Sequence, residues 1–469
     1  MTVPLEGARP QGEEALTAGD GGMRAGTSRL MEEVVERENL QAALRRVRQN
    51  KGSPGIDGMT TEELLPYLRV HWPRLREELL AGTYQPAPVK RQEIPKKGGG
   101  VRQLGIPTVL DRFIQQAVLQ VLQPRFDPTF SAHSYGFRPG RSAQQALAKA
   151  QRDVEEGRRD VVDVDLEKFF DRVNHDVLMG RLAKRIEDER MLRLMRRYLE
   201  AGVMASGVVI ERHEGTPQGG PLSPLLANVL LDEVDKELEQ RGHAFVRFAD
   251  DGHVYVRSLK AGARVLAFLR RQYTRLRLRL NEEKSAVARG LTRSFLGMAF
   301  WRGPGGVLRR RVADKALEAM KERVRELTGR TRGKSVTPVV EELRQYLTGW
   351  RAYFRLAETP LVFRKLDEWI RHRIRQLYLK QWNRARAIYR ELRARGASDA
   401  LARMVASGSK RWWHHAAHTI HVVLTNAHFD RRGLPRLASS PQLLEPPDAD
   451  PHVRWCGRGR KATIPIRRL

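Results

Sequence analysis

The chain has 469 residues, with 85 Lys and Arg against 55 Asp and Glu and a formal net charge of +30. That surplus points to a polyanionic partner, because each Lys or Arg that meets a phosphate releases condensed counterions. A lone cysteine, Cys456, excludes an internal disulfide framework and a cysteine-built zinc finger. No apolar run approaches the ~18 residues of a membrane span, and no secretory signal opens the sequence, so a soluble, cytoplasmic chain is expected.

Residues 1–28 lack apolar periodicity and read as a disordered leader. From about Leu30 to Arg48 the pattern turns helical, with Leu40, Leu44 and Val47 on one face. After a turn-rich loop, Lys51 to Gly58, a second helix runs near Thr61 to Leu80, with Thr60 or Thr61 as its cap. Gln92 to Pro107 reads as two short strands joined by a glycine turn, carrying Lys96, Lys97 and Arg102. Glycines beside cations suit phosphate approaching the backbone, and equally an ordinary exposed hairpin. A helix over Asp111 to Leu122 follows, then a basic loop, Ser134 to Ser142, leading into a helix near Ala143 to Val154 that Ser142 caps.

Val161 to Asp165 alternates as a strand should, which puts Asp163 and Asp165 on its polar face. Helical segments continue to about Ala201, a hairpin covers Gly207 to Glu214, and the loop Gly215 to Pro224 opens another helix. In Phe245 to Val256 two apolar runs flank Asp250-Asp251-Gly252. The Asp-Gly pair predicts a tight hairpin with both acids at its tip and the glycine taking the positive φ. Taken alone, two acids in a turn are ordinary solvated turn residues. An arginine-dense helix over Ala261 to Leu280 and a strand over Phe295 to Phe300 come next. Helices are then expected near 314–328, 338–355, 361–396 and 410–425. The breaks Gly303 to Gly306 and Gly329 to Gly333 mark the expected domain boundary.

A carboxylate on the inner face of a core strand is costly unless paired or metal-bound, which makes Asp165 informative. A strand ending in one acid beside a hairpin tipped with two brings three carboxylates toward one point. Such a group needs cations to stay ionised, and oxygen ligands completed by substrate phosphates are what Mg²⁺ prefers. Two Mg²⁺ ions would activate an attacking hydroxyl and stabilise a leaving pyrophosphate, so the chemistry expected is in-line nucleotidyl transfer.

Phe248-Ala249-Asp250-Asp251 on a hairpin, preceded by Asp165 with Phe169-Phe170 and by the Pro217-Gln218-Gly219 loop, resembles the palm of a reverse transcriptase. Ile94-Pro95-Lys96, Arg102 to Pro107, Tyr135-Gly136-Phe137-Arg138 and Gly349 to Arg355 narrow the resemblance to group II intron-encoded proteins, over about residues 30–440 and in family order. It implies an α+β right-hand polymerase, fingers and palm with antiparallel sheet, followed by an all-helical thumb or maturase domain. The divisions expected are a leader, 1–28; an N-terminal extension with fingers, 29–160; a palm, 161–305; the thumb, 306–432; and a basic tail, 433–469.

The resemblance further implies that Asp165, Asp250 and Asp251 bind two Mg²⁺ ions. Phe170 would screen the sugar 2′-OH; Lys96 (or Lys97) and Arg102 would grip the incoming triphosphate. Gln218 would line template and nucleotide, and Lys284 would lie near the triphosphate. Arg138, Arg141, Arg351 and Arg355 are expected to contact RNA, whereas Trp350, Tyr353 and Phe354 fall at helical spacing and read as domain core. The partners implied are group II intron RNA, a target DNA primer and deoxynucleoside triphosphates; a homodimer stays open. Phe248 stands where the family tetrapeptide commonly has Tyr, and no endonuclease domain is recognisable after about residue 440. His414, His418 and His421 share a helix face with His415 beside them, a set better read as packing or RNA contact than as a metal site. The competing functions are a splicing-only maturase, or a reverse transcriptase serving a retron, diversity-generating or CRISPR system.

Overall fold

The structure, a computed structural model, describes residues 27–95, 101–205, 208–210, 214–216, 219–329, 332–408 and 412–438. Lys96, Lys97, Gln218, Cys456, the leader before Thr27 and the tail after Ala438 lie outside these residues, and of Arg102 only the backbone is described. The chain divides into two compact units, one through Arg289 and one from Gly290.

In the first unit, α1 (Leu30–Val34) and α2 (Arg37–Asn50) replace the single helix expected there, and α3 spans Leu64–Leu80. Strands β1 (Val89–Pro95) and β2 (Val101–Ile106) pair antiparallel, while β1 also pairs parallel with β4 (Val203–Ala205), which turns back into β5 (Val208–Ile210). Helix α4 (Val109–Phe126) starts at Thr108, whose hydroxyl accepts from the Asp111 N–H at 3.0 Å. Helix α5 (Ala143–Glu155) starts on a full capping box of Ser142 with Gln145, an arrangement that contributes about 1 kcal/mol.

A second sheet runs β6 (Ala244–Phe248), β7 (Asp251–Val256), β3 (Asp160–Val164), β8 (Ala286–Arg289), antiparallel throughout. Its inward positions Val162, Val164, Phe245 and Val254 are at most 2% exposed. Helices α6 (His175–Ala183), α7 (Glu189–Glu200), α8 (Ser223–Gln240) and α9 (Leu259–Arg275) complete the unit, with α9 lying on β3 and β8. Gly262 permits that approach, since a Cβ there would sit 2.4 Å from a methyl of Val287.

The second unit opens with a sheet ordered β11 (Leu308–Val312), β10 (Met298–Arg302), β9 (Ser294–Phe295). Gly303 to Gly306 is therefore the loop of a hairpin that pairs Trp301 with Arg309, not a break between domains. Helices α10 (Asp314–Leu327), α11 (Val336–Tyr353), α12 (Pro360–Trp382), α13 (Ala385–Arg393), α14 (Asp399–Ser407), α15 (Trp412–His418) and α16 (Asn426–Arg431) follow. The long helix expected over 361–396 is broken at Asn383, whose φ is +46°. Among the described residues no helix is long and apolar enough to cross a membrane.

Candidate active site

Phe248 pairs with Asp251 across the hairpin, so the turn consists of Ala249 and Asp250. The positive φ falls on Ala249, at +59°, and not on Gly252, which lies inside β7 opposite both Arg247 and Val164. A left-handed residue with a Cβ costs roughly 1–2 kcal/mol, so the surrounding contacts must hold the turn. Gly136 is one of them: a Cβ there would come within 2.1 Å of the Ala249 nitrogen. The glycine of the Tyr135 to Arg138 loop is thus a close-approach residue that lets the loop close over the turn.

The β3–β7 ladder ends on Val164 paired with Gly252, so Asp165 directly follows the last paired residue of one strand and Asp251 directly precedes that of the other. Asp165 is clamped by the segment after α9. Its N–H donates to the Ser285 hydroxyl at 3.0 Å, its carbonyl accepts from that hydroxyl at 3.2 Å, and the Asn281 N–H reaches the same carbonyl at 2.8 Å. Lys284 places its ammonium 3.6 Å from Asp165 Oδ2. Asp163, on the same strand, faces His253 at 3.2 Å. Ser285 was not legible in the sequence, since a serine ending an Asn-Glu-Glu-Lys-Ser run reads as loop.

Among the described residues no group of three or more His, Cys, Asp or Glu side chains is gathered closely enough to hold a metal ion. The backbone brings Asp165 and Asp251 to the same end of neighbouring strands and leaves Asp250 in the turn, without closing a protein cage. That donor set still fits Mg²⁺, which is commonly held by one or two carboxylates with water and substrate phosphates completing the octahedron.

Phe170 is 6% exposed and meets Phe169 edge-to-face, ring centroids 5.0 Å apart. Its carbonyl accepts from the Thr216 N–H at 2.7 Å, and the Gly215 N–H reaches the Val173 carbonyl at 2.7 Å. The start of the Gly215 to Pro224 loop is therefore hung on the segment that carries Phe170.

Arg138, expected at the RNA, is buried within its own loop. It is 5% exposed, pairs with Asp127 at 2.8 Å and donates to the carbonyls of Asp127, Ser131 and Ser134 at 2.6–3.0 Å. Its donors are engaged inside the loop, which it braces. Arg141 is half-buried, with its guanidinium 5.4 Å from the Tyr135 ring centre. In the second unit Arg351 is half-buried and Arg355 exposed. Trp350 and Phe354, at 1% and 0% exposure, are core, and Tyr353 donates its hydroxyl to the Leu296 carbonyl at 3.1 Å. His415 is buried against Thr419 and the Gly408 carbonyl, while His414 and His421 are exposed.

Residues 94–300 match the family described as reverse transcriptase (RNA-dependent DNA polymerase), and residues 317–396 match the group II intron maturase-specific domain. The first stretch holds Asp165, Asp250 and Asp251; the second holds Trp350, Arg351 and Arg355. Over these two segments the chain is similar to group II intron reverse transcriptases and maturases.

Among relatives, Protein YkfC of Escherichia coli K12 is 40% identical over 219 residues, 45% of this chain and 58% of that protein. The group II intron-encoded protein LtrA of Lactococcus lactis subsp. cremoris is 36% identical over 228 residues, 47% of this chain and 37% of LtrA. The putative COX1/OXI3 intron 1 protein of Saccharomyces cerevisiae is 30% identical over 248 residues, 52% of this chain and 29% of that protein. The matched segment thus spans 58% or less of these relatives' own lengths. A chain of a partial Cas6-RT-Cas1–Cas2 complex aligns with 55% of this chain and 43% of its own at 26% identity and a TM-score of 0.35.

Proposed function

We propose that the protein is an RNA-directed DNA polymerase and maturase that binds group II intron RNA, assists its splicing and copies it into DNA from a primer at the target site. The observation that carries this reading is the Val164–Gly252 pair, which leaves Asp165 next on one strand and Asp251 next on the other, in a chain whose matched segments are reverse transcriptase and then maturase. A splicing-only maturase would have no use for three half-buried carboxylates at the end of one strand and the tip of the neighbouring hairpin, since acids brought together need cations to stay ionised.

In this reading Asp165, Asp250 and Asp251 hold two Mg²⁺ ions with the substrate phosphates, and the ions supply hydroxyl activation and charge neutralisation. The primer 3′-OH attacks the α-phosphate of a deoxynucleoside triphosphate, and pyrophosphate leaves in line. Lys96 and Arg102 neutralise the triphosphate, Gln218 lines the template and nucleotide, and Phe170 screens the sugar 2′-OH. Lys284, beside Asp165, offers the carboxylate a counter-charge when substrate is absent and is released toward the triphosphate when it binds. Arg141, Arg351 and Arg355 contact RNA phosphates. The first unit corresponds to fingers and palm, the second to the thumb or maturase domain.

Primer extension on an RNA template, comparing wild type with the double variant Asp250→Ala, Asp251→Ala, tests the assignment. The variant should lose extension by at least about 10³-fold while still binding and splicing intron RNA. Equal extension by both proteins would sink the catalytic assignment.

A further inference from the structure

Arg247 lies three residues before Asp250, is 3% exposed, and has no part in the chemistry described above. A guanidinium buried without partners is prohibitively costly, so what it touches is informative. Its Nε sits 2.9 Å from both Asp235 oxygens and one Nη sits 2.6 Å from Asp235 Oδ2. The other Nη donates to Asn228 Oδ1 at 2.9 Å and to the Ala249 carbonyl at 2.8 Å.

Asp235 and Asn228, each 1% exposed, stand seven residues apart on α8 and so share a helix face. Asn228 also donates its amide to the Gly136 carbonyl at 3.0 Å. The Arg247 backbone is tied to the same loop: its N–H reaches the His133 carbonyl and its carbonyl accepts from the Tyr135 N–H, both at 2.9 Å. The guanidinium therefore runs from a fixed helix to the carbonyl of the strained residue immediately before Asp250.

We propose that Arg247 is a positioning residue for polymerisation: braced by Asp235 and Asn228, it holds the Ala249 carbonyl and so fixes where the Asp250 carboxylate points, while Gly136 packs against the Ala249 nitrogen. The inference rests on the polymerase reading. A purely structural role for the same ion pair predicts something different, a general loss of folded protein with every activity falling together.

The test is steady-state primer extension by the full-length chain on an RNA template, using wild type, Arg247→Lys, Asn228→Ala and Gly136→Ala. Lysine keeps a cation facing Asp235, but its point-like ammonium cannot hold the carboxylate and the carbonyl at once. The kcat of Arg247→Lys should fall on the order of 10–100-fold, as small misplacements of reacting groups do. The KM for dTTP should move by less than about threefold, the Mg²⁺ concentration for half-maximal activity should rise, and affinity for intron RNA should hold. If Arg247→Lys does not fold, the other two variants decide the matter, because both keep the Arg247–Asp235 pair and should show the same kcat-selective loss. Folded variants with wild-type kcat and metal midpoint overturn the inference, as does a parallel fall of kcat and RNA affinity. Wild-type protein that extends no primer overturns the polymerase reading, and the inference with it.

Discussion

Behind the Ser134 to Ser142 loop, the Arg138 guanidinium is surrounded by one carboxylate and three carbonyls. Arg138→Ala should therefore destabilise the fold by about 2–4 kcal/mol, read as a lower midpoint in chemical denaturation. The salt dependence of RNA binding should not change with it. Arg355→Ala should behave in the opposite way, with an unchanged midpoint and weaker RNA binding, since this arginine is exposed on α11's C-terminal side. Phe170 poses a sharper question, because a residue 6% exposed beside Phe169 serves packing as well as substrate choice. Phe170→Val should raise the ratio of kcat/KM for rUTP over dTTP on the order of tenfold, the equivalent of about 1.4 kcal/mol of discrimination. If both substrates fall equally and stability drops, the side chain is core alone.

At the scale of elements, Asp188 joins pieces that the sequence gives no reason to connect. Its carboxylate caps α7 through the N–H groups of Arg190 and Met191, accepts from the Met31 N–H at 3.0 Å, and pairs with Arg190, which in turn grips Glu32. Burial pushes this carboxyl up, but the Arg190 and backbone hydrogen bonds outweigh it and hold its pKa below the ordinary aspartate value. A depressed folded pKa contributes stability that is complete above the unfolded value near 3.9 and is lost as pH falls through the folded one. Asp188→Asn should thus cost about 2–3 kcal/mol at pH 7, and the gap from wild type should close in unfolding measurements below about pH 4; a gap that is constant with pH would refute the link. The elements that were legible from the residues alone have local causes: the Ser142 cap, the apolar periodicity of the helix over Asp111 to Leu122 and the alternation from Val161 to Asp165. Those that were not have distant ones. Leu308 to Val312 is a strand although three consecutive arginines fill it, because β10 supplies its ladder. Ala249 takes the left-handed conformation that Gly252 was expected to take, because the pairing of Phe248 with Asp251 makes Ala249 and Asp250 the turn, and Gly136, over a hundred residues earlier, packs closely against it. The motif residues could be named in advance, but the Arg247–Asp235–Asn228 brace behind them could not, since a buried charge pair leaves no local pattern.

For the molecule as a whole, the net charge of +30 is useful only where it is concentrated. One such place is a groove of about 510 Å³ in the first unit, lined among others by Arg158, Arg241, Arg257, Arg264 and Arg271 around Phe268. Arg257, Arg264 and Arg271 are exposed, and Arg241 lies flat against Phe268 at 4.4 Å. Burial and the Arg241 guanidinium hold the lining His243 below the usual imidazole pKa, so the groove's charge at neutral pH comes from its arginines. Tyr255 and Val256, at the end of β7 remote from Asp251, form part of its wall, about 17 Å along the strand from the acids. RNA phosphates bound there would leave the polymerising end of the hairpin clear. Replacing Arg257, Arg264 and Arg271 together by Ala should weaken binding of structured intron RNA and reduce the slope of log affinity against log salt by about 2–3, as three lost phosphate contacts require. Extension of a short primer on a short RNA template should be unaffected, because the groove lies at the end of β7 remote from Asp251. An unchanged salt slope would mean that these arginines are solvated surface, and that the RNA-binding charge lies elsewhere on the chain.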